Sequence, residues 1–198
     1  MVKNIFVLVI MVLFFGCATK TPPVQKYTIE TAPNIKAVKN STCKTKTLKI
    51  LEPYSSDEYL LNELHYVVGE NEQNRYNYSA WSVPLVNKIY ILLLGSLRKA
   101  RIYKTVLPFS SVASSDEVLE VEIDNAKQYY NKELTSSYVV VDITLSLIDK
   151  KTYTIKSQKR FYKKVATMSL DAKGGVEALS KAFDELLVEM IKWSKEQC

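Results

Sequence analysis

The sequence predicts an α+β fold in which an antiparallel β-sheet carries two main helices packed on one face. Long segments alternate apolar with polar residues, which is the period of a half-buried strand, and the longest such run covers 139–147. The apolar period changes to that of a helix at two places, 82–98 and 176–191. Runs of strands with few helices between them are typical of α+β domains.

The N-terminus has the order of a secretory signal. Lys3 precedes a short apolar run that ends at Phe15 and Gly16, and Cys17 follows at once. This stretch resembles a bacterial lipobox, in which the signal is removed before a cysteine that then carries a lipid. We expect residues 1–16 to be a lipoprotein signal peptide and Cys17 to be the lipidation site. A transmembrane anchor is the competing interpretation, but spanning the hydrocarbon takes about 20 apolar residues.

The mature chain is expected to begin with a tether. Residues 17–25 are short, polar and contain prolines, which predicts a lipidated linker. Residues 26–198 then predict a single α+β domain, because their number suits one hydrophobic core. Ala18 behind Cys17, in place of Asp, resembles lipoproteins that are sent to the outer membrane of a Gram-negative bacterium. We therefore expect a periplasm-facing protein that its lipid holds at that membrane.

The first half of the domain predicts four short strands before the first helix. Each is a run of alternating or apolar residues bounded by a turn-forming or polar stretch. The strands cover 26–30, 48–51, 64–68 and 76–81, and a polar turn is expected over 70–75.

The first helix is predicted from Ser82 to about Arg98. Ser82 is a favourable N-cap residue, and Pro84 falls near the first turn, where its missing N–H costs little. Apolar residues then follow at helical spacing, which predicts one face against the sheet. That face contains Val86, Ile89 and Leu93.

The second half predicts one strand, then three strands of an antiparallel meander, then a terminal amphipathic helix. Gly174 and Gly175 are expected to break the chain between the meander and that helix. The expected ranges are 102–107 for the first strand, 119–130, 139–147 and 153–165 for the meander, and 176–191 for the helix.

The chain is mildly basic. Its formal net charge is +6, and removal of Lys3 with the signal leaves +5. A balance this mild permits contact with anionic head groups or an acidic partner and does not require nucleic acid. We expect no nucleic-acid partner.

The sequence offers little of what catalysis or metal binding needs. His65 is the only histidine and the three cysteines lack metal-ligand spacing, so we expect no metal site. No phosphate-binding glycine loop, dinucleotide fingerprint or nucleophile elbow is present. Glu120, Glu122 and Asp124 share a strand face, and a solvated surface explains them more simply than acid–base chemistry. We expect neither an enzyme nor a cofactor.

The densest cationic cluster lies in the last strand of the predicted meander, interleaved with Phe161 and Tyr162. Cations beside aromatic rings suit contact with anionic head groups. Lysines also keep the edges of sheets soluble, and that interpretation stays open. The cluster consists of Lys156, Lys159, Arg160, Lys163 and Lys164.

Tyr76, Tyr78 and Trp81 gather large amphipathic side chains just before the first helix. Such residues often form partner interfaces, but they can equally close the junction between a sheet and a helix. We expect Trp81 to lie mostly in the core and Tyr78 on the surface.

Cys43 and Cys198 remain once Cys17 carries a lipid. In an oxidising compartment these two residues are candidates for one disulfide. Two unpaired thiols are the alternative, because chain ends fray and Cys198 is the last residue.

A lipobox and a tether are followed by three short motifs, and then by the meander and the terminal helix. The motifs are Tyr27-Thr28-Ile29, Leu64-His65-Tyr66 and Trp81-Ser82-Val83-Pro84-Leu85. Together they resemble the ABC-type transport auxiliary lipoproteins, whose type member is the paraquat-inducible lipoprotein of an intermembrane transport system.

This resemblance implies a non-enzymatic role beside an ABC permease, an ATPase and an MCE-domain protein, which move phospholipids or related lipids between the inner and outer membranes. By analogy with a ring-forming MCE partner, formation of a homo-oligomer stays an open alternative. The alternative is another periplasmic scaffold lipoprotein, of envelope or lipopolysaccharide assembly or of a secretion apparatus. A lipid-anchored enzyme is the third class.

Overall fold

A nine-stranded sheet and two helices make up the part of the protein that the computed structural model describes, residues 21–198. The strands are β1 Gln25–Tyr27, β2 Thr47–Ile50, β3 Tyr54–Ser55, β4 Glu63–Val68, β5 Glu72–Trp81, β6 Thr105–Leu107, β7 Glu117–Tyr130, β8 Ser137–Asp149 and β9 Thr154–Ala166. The helices are α1 Leu85–Ala100 and α2 Ala172–Glu196, and 3₁₀ turns cover Thr42–Thr45 and Asp57–Leu60.

The long strand β7 organises the sheet. Along one edge β7 pairs with β8, and β8 pairs in turn with β9, so these three strands form the antiparallel meander that the sequence predicts. Along its other edge β7 pairs successively with β2, β3 and β4. β6 adds to β2, β5 adds to β4, and β1 adds to β5.

The sheet is mixed, so the α+β class is confirmed but the prediction of a purely antiparallel sheet is wrong. In the first half of the domain β4 and β5 pair antiparallel, as predicted, and the other pairings are parallel. β2, β3 and β4 all run parallel to β7, β6 runs parallel to β2, and β1 runs parallel to β5. Parallel pairing needs a connection that returns the chain to the same end of the sheet. Alternation of apolar residues shows which face of a strand is buried and says nothing about the direction of that strand.

One hydrophobic core lies between the sheet and both helices. Inward residues of the meander, such as Val121, Ile143 and Phe161, are almost fully buried. The two helices contact each other and add their apolar faces to the same cluster, so both lie on one side of the sheet. The buried helix residues include Val86, Ile89 and Leu93 of α1 and Leu179, Phe183, Leu186 and Met190 of α2.

Helix α1 begins later than the sequence predicts. Pro84, rather than Ser82, occupies the capping position, and no side chain caps the helix. The residue before a proline is disfavoured in helical conformation, so the helix starts only at Leu85. The Ser82 N–H is used elsewhere, because it donates to the carbonyl oxygen of Tyr27 at 2.7 Å and ties the end of β5 to β1.

Helix α2 begins earlier than predicted, so Gly174 and Gly175 lie inside it and do not break the chain. Asp171 caps the helix, since its carboxylate accepts a hydrogen bond from the Gly174 N–H at 2.8 Å. A Cβ atom at Gly175 would lie 2.0 Å from Oε1 of Gln128 in β7. Glycine therefore permits the first turn of α2 to approach the sheet closely.

The boundaries of β5, β6 and β1 also differ from the prediction. β5 starts at Glu72, so most of the turn expected over 70–75 is strand, and the chain reverses just after Gly69, whose φ is +61°. β6 covers only the end of the expected strand 102–107, and β1 ends at Tyr27. These short elements depend on their neighbours more than on their own sequence.

Candidate functional site

The N-terminal segment joins the domain through a strand. Cys17 lies outside the described residues, so its lipidation stays a prediction. β1 pairs with the end of β5, and this places Tyr27 opposite Trp81. No helix in the described part of the chain is long and apolar enough to cross a membrane. The chain that leads from the expected anchor is therefore built into the sheet.

After β1 the chain crosses the surface of α2. The Glu30 N–H donates to Ser180 Oγ at 3.2 Å, and the Ala32 N–H donates to Asp184 Oδ1 at 2.8 Å. Ile29, which precedes Glu30, is fully buried in the core. Backbone hydrogen bonds and one buried side chain thus fix this segment along the helix.

Trp81 lies where β1, β4 and α1 meet. The backbone N–H of Trp81 donates to the carbonyl oxygen of Asn62 at 2.7 Å, and the indole side chain is buried in the same cluster as Leu64 and Leu85. The structure thus places Trp81 in the core, at the point where the tether enters the domain.

Tyr76 belongs to a partly buried polar network beneath the start of α2. Its hydroxyl is 2.6 Å from the Tyr130 hydroxyl and donates to Gln128 Oε1 at 2.9 Å. Its ring packs against Tyr66 with centroids 4.5 Å apart. Burial raises the pKa of the Tyr76 hydroxyl, and the hydrogen bond to Tyr130 raises it further. The Tyr76 hydroxyl is therefore neutral and already hydrogen-bonded within the domain, so it is poorly placed to contact a partner.

Tyr78 stands apart because β5 bulges at this point. His65 pairs with Arg75, but Glu63 pairs with Ala80, so two steps along β4 correspond to five along β5. The excess residues cannot pair with β4, and bulges of this kind turn side chains away from that ladder. Tyr78 lies within this bulge and is 49% exposed. The structure therefore separates the three aromatic residues that the sequence groups together.

The first cation of the predicted β9 cluster, Lys156, binds a buried acid. Glu117 is almost fully buried and accepts hydrogen bonds from Lys156, from Lys46 at 2.7 Å and from the Tyr103 hydroxyl at 3.2 Å. Burial alone would raise the pKa of the Glu117 carboxyl, but the hydrogen bonds from the two lysines outweigh it and leave that pKa below its usual value. Lys156 is thus part of a structural ion network.

Two further cations of the cluster are also paired. Arg160 donates to both carboxylate oxygens of Asp142, with 2.7 Å between Arg160 Nε and Asp142 Oδ1. Lys163 lies 3.0 Å from Glu189 and 3.1 Å from Glu185, which links β9 to α2. These two cations therefore hold the edge strand to β8 and to the helix.

The last two cations of the cluster rest on aromatic rings. Lys159 Nζ lies 5.3 Å from the centroid of the Phe161 ring, and Lys164 Nζ lies 3.6 Å from that of Tyr138. Lys159 and Lys164 are five positions apart on one strand, so they occupy opposite faces of the sheet. Head-group contact at β9 stays a prediction, and the cluster does not present five available charges on one face.

The acidic residues that share a face of β7 are exposed. Glu120, Glu122 and Asp124 on β7 point to solvent. Among the described residues, no group of three or more His, Cys, Asp or Glu side chains could hold a metal ion.

Cys43 and Cys198 form a disulfide. The bond joins the 3₁₀ turn Thr42–Thr45 to the end of the chain just after α2, with 5.4 Å between the two Cα atoms. A hydrogen bond from the Thr42 hydroxyl to the Cys198 carbonyl lies beside it. The disulfide thus fixes the C-terminus to the core, whereas the sequence alone does not decide whether this end of the chain frays.

A groove that no sequence pattern indicates lies between the loop 34–40 and the last turns of α2. Its volume is about 500 Å³, and an adjoining hollow of about 540 Å³ shares Lys39, Asn40 and Lys195 with it. The two walls come from opposite ends of the domain sequence, so no local motif could reveal them. We call it the lysine groove, and its basic residues are Lys36, Lys39, Lys192 and Lys195, with Lys44 in the adjoining hollow.

Comparisons with known proteins show the fold. No family model matches the sequence, and no curated protein matches it either. The fold is similar to that of a Xanthomonas campestris protein of the DUF330 family, with a TM-score of 0.71 and 12% identity over 84% of this chain and 94% of that one. An uncharacterized protein gives a TM-score of 0.65 and 13% identity over 87% of this chain and 99% of that one.

Proposed function

We propose that the protein is a non-enzymatic lipoprotein component of an ABC/MCE-type intermembrane lipid transport system, anchored through Cys17 at the periplasmic face of the outer membrane. In that role it links the transporter complex to the membrane. The observation that carries the proposal is the junction at Trp81. The three segments behind the resemblance, around Tyr27, Leu64 and Trp81, meet there although they lie far apart in sequence.

A junction of this kind supports a linking role. A lipoprotein that connects a membrane to a partner has to join a flexible tether to a rigid domain, and β1 makes that join by pairing with β5. The tether 17–24 spans at most roughly 26–29 Å when fully extended. Such a tether would hold the domain within that distance of the bilayer. Two or three acyl chains on Cys17 give stable attachment, whereas one chain alone holds only marginally.

The partner surface in this proposal is the β5 bulge that carries Tyr78. Gln25 of β1 pairs with Ser79, the residue after Tyr78, and Val24 just ahead of β1 is also half exposed. Exposed aromatic residues often dominate interfaces because they bring a large contact area at low entropic cost. Trp81 and Tyr76 would support this surface from within the domain.

Substitution of Tyr78 tests the partner surface. Tyr78→Ala is expected to lower co-purification with the MCE-domain protein by about tenfold or more, because hot-spot residues contribute about 2 kcal/mol or more. Its melting temperature should stay within about 2 °C of that of the wild type, because the side chain is half exposed. Tyr54→Ala is the matched control, since Tyr54 is a strand tyrosine that is 73% exposed and lies on β3.

Trp81→Ala should behave differently. Truncation of a buried tryptophan costs about 3–5 kcal/mol, so partner binding should be lost only as the domain unfolds. Equal destabilisation by Trp81→Ala and Tyr78→Ala, with partner binding retained at low temperature, would contradict the division between a core Trp81 and a surface Tyr78.

Co-purification of the lipidated chain from solubilised membranes tests the function itself. The expected complex contains an MCE-domain protein, an ABC permease and its ATPase. A complex made of lipopolysaccharide-assembly or secretion components would overturn the proposal in favour of another scaffold role. Cys17→Ser should release the domain from the membrane fraction or trap the unprocessed precursor, and unchanged processing and fractionation would remove Cys17 as the anchor.

A further inference from the structure

The lysine groove collects positive charge that no Asp or Glu side chain among residues 21–198 balances. Lys36 and Lys39 come from the loop, and Lys192 and Lys195 come from α2. None of the four forms an ion pair with any residue in the described range 21–198. Within that range, no Asp or Glu side chain lines the groove. The helix dipole favours lysines at the end of α2, but it does not explain the two lysines on the loop.

The loop that supplies half of these charges is held in place. Ile35 is buried, and the Val38 N–H donates to the carbonyl oxygen of Ala100 at 2.8 Å. These contacts therefore hold the backbone that carries Lys36 and Lys39 on the opposite wall of the groove from Lys192 and Lys195. Like charges held together repel one another, and an anion bound between them would attract each lysine and so offset that repulsion.

The floor of the groove is apolar. Ile191 closes it from below, Val188 is 41% exposed, and Ala37 and Val38 form the loop side. A small free anion would use the lysines and leave this floor bare. An amphiphile would use both parts, with its charged head on the lysines and its apolar portion on Val188.

We propose that the lysine groove binds the phosphate head group of an anionic phospholipid at a membrane surface. The inference stands on the groove alone and does not need the transport role. Each lysine near an anionic membrane contributes about 1 kcal/mol, which is about fivefold in partition. Three of the five β9 cations are already paired with carboxylates, which makes that cluster less suited to the same task.

Vesicle co-sedimentation tests the proposal. The protein is the chain from residue 17 with Cys17→Ser, so that no attached lipid contributes and the whole core is retained. It should bind vesicles of phosphatidylcholine mixed with phosphatidylglycerol, bind those of phosphatidylcholine alone far more weakly, and release as salt rises. Two double variants, one per wall, should each lower the partition coefficient roughly 25-fold. They are Lys36→Gln with Lys39→Gln, and Lys192→Gln with Lys195→Gln.

Matched controls distinguish binding by the groove from attraction that depends on net charge alone. Lys132→Gln with Lys151→Gln removes the same charge from two exposed turns and should change partition less than about threefold. Lys159→Gln with Lys164→Gln tests the β9 edge and should also have a small effect. Val188→Asp should weaken binding strongly while the fold stays intact, because Val188 is exposed.

Three outcomes would overturn the proposal. Equal losses in all the double variants would show that net charge alone drives binding. Complete competition by glycerol phosphate and inorganic phosphate would assign the groove to free phosphate compounds. Absence of binding to the mixed vesicles would remove the site altogether. Co-purification with the MCE-domain protein is measured on the same variants. It tests the transport role separately, so that loss of vesicle binding alone would bear only on the groove.

Discussion

Two regions of the molecule concentrate positive charge, and they differ in whether that charge is available. On β9, Lys156, Arg160 and Lys163 each bind a carboxylate on another element: β7, β8 and α2, respectively. In the lysine groove, none of the described Asp or Glu side chains lines the site beside the lysines. The cations of β9 meet acids from the other two strands of the meander and from the helix packed on it. Available charge arises instead where a loop meets a helix, so a dense run in the sequence is a poor guide to a charged surface.

The largest expected effect concerns the disulfide beside the lysine groove, where the lysines form no ion pairs with described residues. Cys43→Ser with Cys198→Ser should lower the free energy of unfolding by about 2–5 kcal/mol, because the disulfide closes a loop of 155 positions. Urea unfolding of the oxidised wild type and of the variant measures this loss, and the reduced wild type should match the variant. A loss below about 1 kcal/mol would show that the bond adds little to the native fold.

The next effect concerns the paired charges of β9. Glu117→Gln should lower the free energy of unfolding by about 1–3 kcal/mol at neutral pH, because Lys46 and Lys156 would then face each other without a carboxylate. Glu120→Gln on the exposed face of the same strand is the control and should stay within about 0.5 kcal/mol. Similar losses in both variants would remove the distinction between a structural and a surface acid.

The same carboxylate predicts a pH dependence. The pKa of Glu117 is lower in the folded protein than in the unfolded chain, where it is about 4.3. Its contribution to stability is therefore complete above that unfolded value and is lost as the pH falls through the lower folded value. Between about pH 5 and pH 3 the stability difference between wild type and Glu117→Gln should shrink. A difference that stays constant over this window would contradict the lowered pKa.

The smallest expected effect lies in the groove. Lys192→Gln should change the free energy of unfolding by no more than about 0.5 kcal/mol, because this exposed lysine has no acid partner among the described residues. The same substitution at Lys156 should cost more, since it removes a hydrogen bond to a buried carboxylate. Chemical unfolding of the two single variants compares the regions directly, and equal costs would erase the contrast between them.

The meander could be predicted because its contacts are local. Ile143 of β8 lies between Ile123 of β7 and Phe161 of β9, and short turns between alternating strands determine that register. Strands β2, β3 and β4 could not be placed in this way. Their direction depends on which end of β7 they return to, and single-strand patterns do not contain that information.

The candidate sites show the same limit. The cysteine pairing and the burial of Trp81 agree with what the residue types favour, because both follow from chemistry that each residue carries. The role of Gly175 depends on Gln128 of β7, and the exposure of Tyr78 depends on a bulge against β4. The lysine groove needs both ends of the domain folded together. Features that depend on distant partners could not be found in one sequence.

The Cys43–Cys198 bond also determines where proteolysis would matter. Any single cut between these two residues, for example in the exposed loop 109–116, leaves one covalent molecule whose fragments stay joined. Such a nicked protein would migrate as an intact chain until it is reduced. A cut ahead of Cys43 has no such protection, because nothing covalent bridges it. If Cys17 carries the expected anchor, the short stretch between it and the first strand is therefore the place where a single cut would release the whole domain.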